Sequence, residues 1–252
     1  MSKQAVLVTG AGSGIGLGIA EFFEQRNYQV IVTDRSVESL SQAQQQLAQH
    51  DCQFYCLDVT SQSSVNELMQ NLERAPDILI NNAGIQHVAR LEDFPMEQWQ
   101  RLLEIMLVGV ARVTQAFLPT MKTQNFGRII NIGSLHSVVA SPYKTAYIAA
   151  KHGLLGFAKS LALEVAEHDI TINTVCPAYV RTPLVSDQIA QQAAQHGISE
   201  QAVVETIMLK PMPKKSFIEV AEIAAACEYF CQPLARNVTA QTLLLDGGWT
   251  AQ

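Results

Sequence analysis

The stretch Ala5-Val6-Leu7-Val8-Thr9-Gly10-Ala11-Gly12-Ser13-Gly14-Ile15-Gly16 decides the fold. A run of apolar and β-branched residues stops at Thr9, glycines follow at every second position, and a helical pattern starts at Ile15. A chain that turns from strand to helix so abruptly needs glycine's backbone freedom. It leaves amide N–H groups and the positive end of a helix dipole facing one point. A Gly-rich turn alone is an ordinary tight turn. Set between a strand and a helix near residue 10, it predicts a seat for a dinucleotide pyrophosphate built from Gly10, Ser13, Gly14, Ile15 and Gly16.

The same strand–helix alternation continues outward. Strand-like segments are expected at 4–9, 29–33, 53–57, 77–81, 128–133, 171–175 and 242–245, with helices at 15–25, 37–49, 63–72, 97–122 and 146–167 between them. Strands rich in Val, Ile and Leu with helical crossovers predict an α/β fold: one Rossmann-type, doubly wound parallel sheet of about seven strands, forming a single catalytic domain over 1–252. The interval 183–218 is longer than a crossover requires and holds short helical pieces at 186–195 and 200–209. Lying after a strand's carboxyl end, it is expected to be a substrate lid.

Apolar residues make up 48% and charged residues 16% of the 252, a globular balance. A net charge of −6 gives no electrostatic reason to expect nucleic acid or an anionic membrane as partner. The apolar runs are short and broken, so no membrane span is expected. The N-terminus runs straight into the first strand, which leaves no room for a signal peptide and points to the cytoplasm. The five cysteines include no C-x-x-C pair. They read as buried free thiols, with a metal or redox site as the weaker alternative.

Asp34 closes the second strand about 20 residues past the glycine loop, where a carboxylate bonds the adenosine ribose and repels a 2′-phosphate. That favours NAD over NADP, although the adjacent Arg35 could pair with such a phosphate, and Asp34 could instead cap a surface helix. Tyr147 and Lys151 stand four residues apart and share a helix face. Ser134 ends the preceding strand, at the sheet edge where ligands bind. A tyrosine with a pKa near ~10 is a poor base at neutral pH. A neighbouring ammonium and a cationic nicotinamide would lower that pKa. Tyr147 is then expected to take a hydroxyl proton as hydride leaves the carbinol carbon, with Ser134 orienting the oxygen and Lys151 holding the nicotinamide ribose.

On these motifs the chain resembles the short-chain dehydrogenase/reductase family over essentially its whole length. The resemblance implies catalytic roles for Ser134, Tyr147 and Lys151. It adds Asp58 and Val59 on the adenine side, the strand-four motif Asn81-Asn82-Ala83-Gly84, and a nicotinamide-side loop, Cys176 to Thr182, from which Pro177, Val180 and Thr182 contact the cofactor. Two departures stand out: Met106 where many members carry a proton-relay Asn, and Ala178 in place of a Gly.

Within that family, the segments Asn82-Ala83-Gly84-Ile85-Gln86-His87, 136–153, Thr182-Pro183-Leu184-Val185 and 246–252 are similar to bacterial D-3-hydroxybutyrate dehydrogenases. This implies a carboxylate site of Gln86, His136, Lys144 and Gln188, and interconversion of (R)-3-hydroxybutyrate and acetoacetate with NAD. Chemically, a small 3-hydroxy acid does need a cation and several donors at one end and an apolar slot at the other. The weaker alternatives make His136 a simple loop residue and Lys144 a solvated charge before the catalytic helix, while Trp249 reads as structural or as a subunit contact. Another small hydroxy acid, a polyol or a ketone would use the same chemistry, and a non-catalytic NAD-sensing protein would keep only the fold. The helices at 97–122 and 146–167 carry more apolar residues than one buried stripe needs, which with the resemblance predicts a homotetramer.

Overall fold

The computed structural model describes residues 3–48 and 51–251, without the side chains at 183, 184, 187, 188, 191 and 195. Strands β1 (Ala5–Thr9), β2 (Gln29–Asp34), β3 (Cys52–Cys56), β4 (Ile78–Asn81), β5 (Gly127–Ile132), β6 (Ile170–Pro177) and β7 (Thr242–Leu245) form one sheet. Every pairing is parallel, in the order β3-β2-β1-β4-β5-β6-β7. The winding starts at β1, runs outward to β3, and then resumes on the other side at β4. The reversal opens a crevice past the carboxyl ends of β1 and β4. This is the expected doubly wound Rossmann-type sheet.

The helices are α1 (Gly14–Glu24), α2 (Val37–Gln46), α3 (Gln62–Asn71), α4 (Met96–Leu103), α5 (Gly109–Gln124), α6 (Thr145–Glu164), α7 (Pro183–His196), α8 (Glu200–Val203) and α9 (Val220–Cys231). Both sheet faces are covered, so the strands alternate between two cores. Val6, Val8, Ile130 and Ile132 pack with Phe23, Leu40 and Phe230 of α1, α2 and α9. Leu7, Leu79 and Ile129 pack with Leu68, Leu102, Phe117 and Leu161 of α3 to α6. Burial on both faces explains why β1, β2 and β4 read as apolar runs rather than alternating ones, whereas the edge strand β3 is only half-buried.

Four features differ from expectation. The long helix expected at 97–122 is real but contains a π-helical segment, Glu104–Val108, between α4 and α5. Helix α9, which carries Cys227 and Cys231, fills the crossover into β7, where no element was expected. The cysteines are free, but Cys56 is exposed and Cys52 half-buried, so only Cys176, Cys227 and Cys231 match the buried-thiol reading. Finally, the continuous helix Met96–Gln124 has a window of mean hydropathy 1.5, long and apolar enough by composition to cross a bilayer, against the expectation of no such segment. Here Leu102, Met106, Val113 and Phe117 on that helix are buried against the sheet.

The 183–218 interval folds as α7, α8 and a second π-helical segment, Val204–Met208. Ile189, Val203 and Met208 form a small core of their own against Tyr179 and Phe217. A parallel bridge between Val180 and Ile218 ties the end of this excursion back to the loop after β6.

Candidate active site

A cavity of about 1000 Å³ occupies the crevice at the carboxyl edge of the sheet. Its floor is the β1–α1 loop. Gly10 has φ +62°, and a Cβ there would lie 2.7 Å from the Ala83 Cα, so the loops after β1 and β4 touch. Asn82 stitches them together: its Nδ2 donates to the carbonyls of Thr9 (3.0 Å) and Gly10 (2.9 Å). The Thr9 hydroxyl accepts from the amides of Asn82 and Ala83. Ser13 makes no side-chain cap on α1, which leaves the first amides of that helix for a ligand. Gly10, Ser13, Gly14, Ile15, Asn82, Ala83 and Gly84 all line the cavity. Gly16 stands behind the loop instead, where a Cβ would be 2.5 Å from the Gly10 carbonyl.

At one end of the cavity, Asp34 accepts from the Gly12 amide (3.2 Å) and the Ser36 amide (2.9 Å), which holds its carboxylate on the lip of the loop. Asp58 and Val59 line the same end, as does Arg35. Burial pushes the Asp58 carboxyl up, but hydrogen bonds from the Thr60 hydroxyl and amide outweigh it. With the charges of Arg35 and Arg101 they hold it below the usual carboxylate range. Pro177, Val180 and Thr182 line the opposite end. These residues fit a dinucleotide: uncapped helix amides for phosphates, carboxylates at one end, and a loop from β6 at the other.

Ser134, Tyr147 and Lys151 lie together beside that second end. Ser134 caps the turn Leu135–Ser137, where its hydroxyl accepts from the His136 amide at 3.1 Å. Lys151 is 5% exposed, and its Nζ donates to the Ile132 carbonyl at 2.7 Å. That Nζ sits 5.7 Å from the Tyr147 ring centre. In the protein alone the phenol is not acidified; the expected lowering also calls on a bound cationic nicotinamide. Burial raises the Tyr147 pKa, a hydrogen bond with Ser134 pulls it back, and Cys176 adds to the rise. Burial also lowers Lys151 to about 8. Desolvation is the leading cause for both groups because both are shut away from water.

On the far side of Tyr147 the cavity is polar. Tyr143 adopts φ +67°, and its carbonyl accepts from the Ala89 amide at 3.0 Å, so the loops carrying Lys144 and Gln86 are joined. Gln86 Oε1 accepts from the His87 amide at 3.0 Å, which leaves its Nε2 as a donor. His136 is buried with Nε2 2.8 Å from the Ser141 hydroxyl. Burial, followed by the charges of Lys144 and His152, lowers its pKa to about 4. Lys144 is half-buried, and burial lowers its pKa too. No carboxylate pairs with it among the described residues. Gln188 lies on α7, but its side chain is outside the described residues. Tyr179 and Trp249 also line the cavity, with ring centres 6.0 Å apart. Their aromatic character in segments already picked out by motif was the one available signal. Met106 is 1% exposed and lines the cavity opposite Gly84.

The His136 shift has a measurable consequence. A histidine with a folded pKa of about 4 and an unfolded value near ~6.5 binds fewer protons folded than unfolded between those limits. Folding stability is therefore expected to fall as pH drops from about 6.5 to about 4, and the slope should flatten in His136→Gln. Equal slopes for the two proteins in urea titrations across that range would contradict it.

Residues 4–204 match the family model described as short chain dehydrogenase. The chain is 40% identical over 259 residues, all of both sequences, to D-beta-hydroxybutyrate dehydrogenase of Rhizobium meliloti (strain 1021). It is 37% identical over the full length of both to the protein of that name from Cupriavidus necator. Among solved structures, a single-residue variant of actinorhodin polyketide ketoreductase with NADPH superposes with a TM-score of 0.92 at 31% identity, covering 99% of this chain and 98% of that one.

Proposed function

The chain belongs to the short-chain dehydrogenase family, and on that premise we propose that it interconverts (R)-3-hydroxybutyrate and acetoacetate with NAD. A nicotinamide bound in the cavity would exchange hydride with the carbinol carbon. The chain's own residues handle the rest. Ser134 holds the substrate oxygen, Tyr147 takes or returns its proton, and Lys151 holds the nicotinamide ribose. Gln86, His136 and Lys144 receive the carboxylate, and Tyr179 with Trp249 offers apolar surface to the methyl end. We assign Gln188 to the same carboxylate and the 183–218 segment to the lid that carries it over the substrate.

The observation that carries this reading is Lys144. A half-buried ammonium without a carboxylate partner among the described residues, lining the same cavity as the Gln86 amide, is costly unless the ligand brings the anion. Supporting NAD, Asp34 lines the cavity beside the glycine loop, and a carboxylate in that position would repel a 2′-phosphate. Arg35 on the same wall favours a second reading, an NADPH-linked reduction of another ketone, as in the actinorhodin enzyme's structure. We also propose a homotetramer, since Leu163 on α6 is 81% exposed and Val108 is 41% exposed.

The test is the formation of reduced nicotinamide, followed by absorbance, with both cofactors and a panel of hydroxy acids, polyols and neutral alcohols. Turnover is expected with NAD and (R)-3-hydroxybutyrate and little with its (S) form. A preference for NADP and a neutral ketone would move the assignment to the second reading, and no turnover with any pair would favour a binding protein.

A further inference from the structure

We propose that Arg112 is a positioning residue for the adenine end of the cofactor site, locking the loop after β3 to the π-helical segment. The inference rests on reading the cavity as a dinucleotide site. Arg112 lies on α5, outside every motif used above, and its side chain is 17% exposed. One guanidinium nitrogen donates to the Val59 carbonyl at 2.6 Å and another to the Glu104 carboxylate at 2.7 Å. The Thr60 amide, at the other end of the Val59–Thr60 peptide unit, donates to Asp58 Oδ1 at 2.8 Å. Both ends of a single peptide plane are thus held, one by Arg112 and one by Asp58.

The second anchor is as specific. The Glu104 carbonyl accepts the Gly109 amide, the bond that closes the π turn, while its carboxylate takes Arg112. Helix and loop are in close contact here. A Cβ on Gly109 would lie 2.9 Å from Val59 Cγ2 and 3.1 Å from the Glu104 carbonyl. Asp58 and Val59 form one wall of the cavity, and Glu104, Ile105 and Met106 line it from the π segment. Arg112 itself does not line the cavity, so it acts through these neighbours. A charged donor fixing a peptide plane lets the adenine wall be ready before the ligand arrives, and preorganisation of that kind appears as affinity.

The test is calorimetric binding of ADP-ribose and of nicotinamide mononucleotide to the full chain. In Arg112→Met, ADP-ribose is expected to weaken about tenfold while nicotinamide mononucleotide stays nearly unchanged. Arg112→Lys, which keeps one charged donor, should recover part of the loss. Equal weakening of both ligands, or none of either, overturns the proposal. Should Arg112→Met fail to fold, Glu104→Gln serves: it removes the charge partner and should weaken ADP-ribose by a smaller factor, with unchanged affinity refuting the coupling. Wild-type protein that does not bind ADP-ribose at all overturns the cofactor reading itself, and the role of Arg112 with it.

Discussion

Replacing Tyr147 by Phe is expected to lower kcat about 10³-fold, within the range that a positioned proton donor or acceptor contributes, and to leave dinucleotide affinity nearly intact. The substitution removes one oxygen and keeps the ring, which packs 6.2 Å from the His136 ring centre. Loss of turnover then reports on proton transfer, not on a collapsed site. The pH profile sharpens the test. Burial holds the phenol's pKa up and Ser134 draws it down, so oxidation of an alcohol should accelerate as pH rises. Lys151, lowered to about 8, should set an opposing limb, because above that pH the ammonium is depleted. The Phe variant should lose the rising limb. If it turned over within about tenfold of the wild type, the acid/base would have to be another group.

The pH profile in that prediction depends on burial, which spacing could not supply. Tyr147 and Lys151 were legible as neighbours because helical periodicity places residues four apart on one face. Their electrostatics were not legible, because desolvation depends on what covers them. Local patterns served well elsewhere: glycines at alternate positions after β1, Val- and Ile-rich strands, and the long apolar helices all follow from short-range chemistry. The gaps are of a different kind. The π segment at Glu104–Val108 sits in a run apolar at every position but one, so no periodicity marks the inserted residue. Trp249 enters the cavity only because β7 lies beside β6. Arg112 gains its role by contacting Val59, 53 positions away. Tertiary contact decides these, and a single sequence does not encode it visibly.

Lys144→Met is expected to raise KM for the hydroxy acid on the order of 10²-fold, the cost of removing one partner from a desolvated charge pair. Methionine keeps most of the aliphatic stem, so packing beside α6 is largely preserved. The ammonium is what disappears. In the free protein, burial depresses the Lys144 pKa, and no carboxylate among the described residues pairs with it. Neutral His136, tied to the Ser141 hydroxyl, cannot take over as a cation until the pH approaches about 4. Gln86 offers a dipole, not a charge. A bound carboxylate should therefore lean mainly on Lys144, and kcat should fall less than KM rises. A neutral methyl ester of the same acid separates recognition from shape. Its KM should barely change in the variant, bringing acid and ester closer together. If the acid's KM stayed put, or the ester's rose in parallel, Lys144 would be a scaffold for the strained Tyr143 turn and the anion would bind elsewhere.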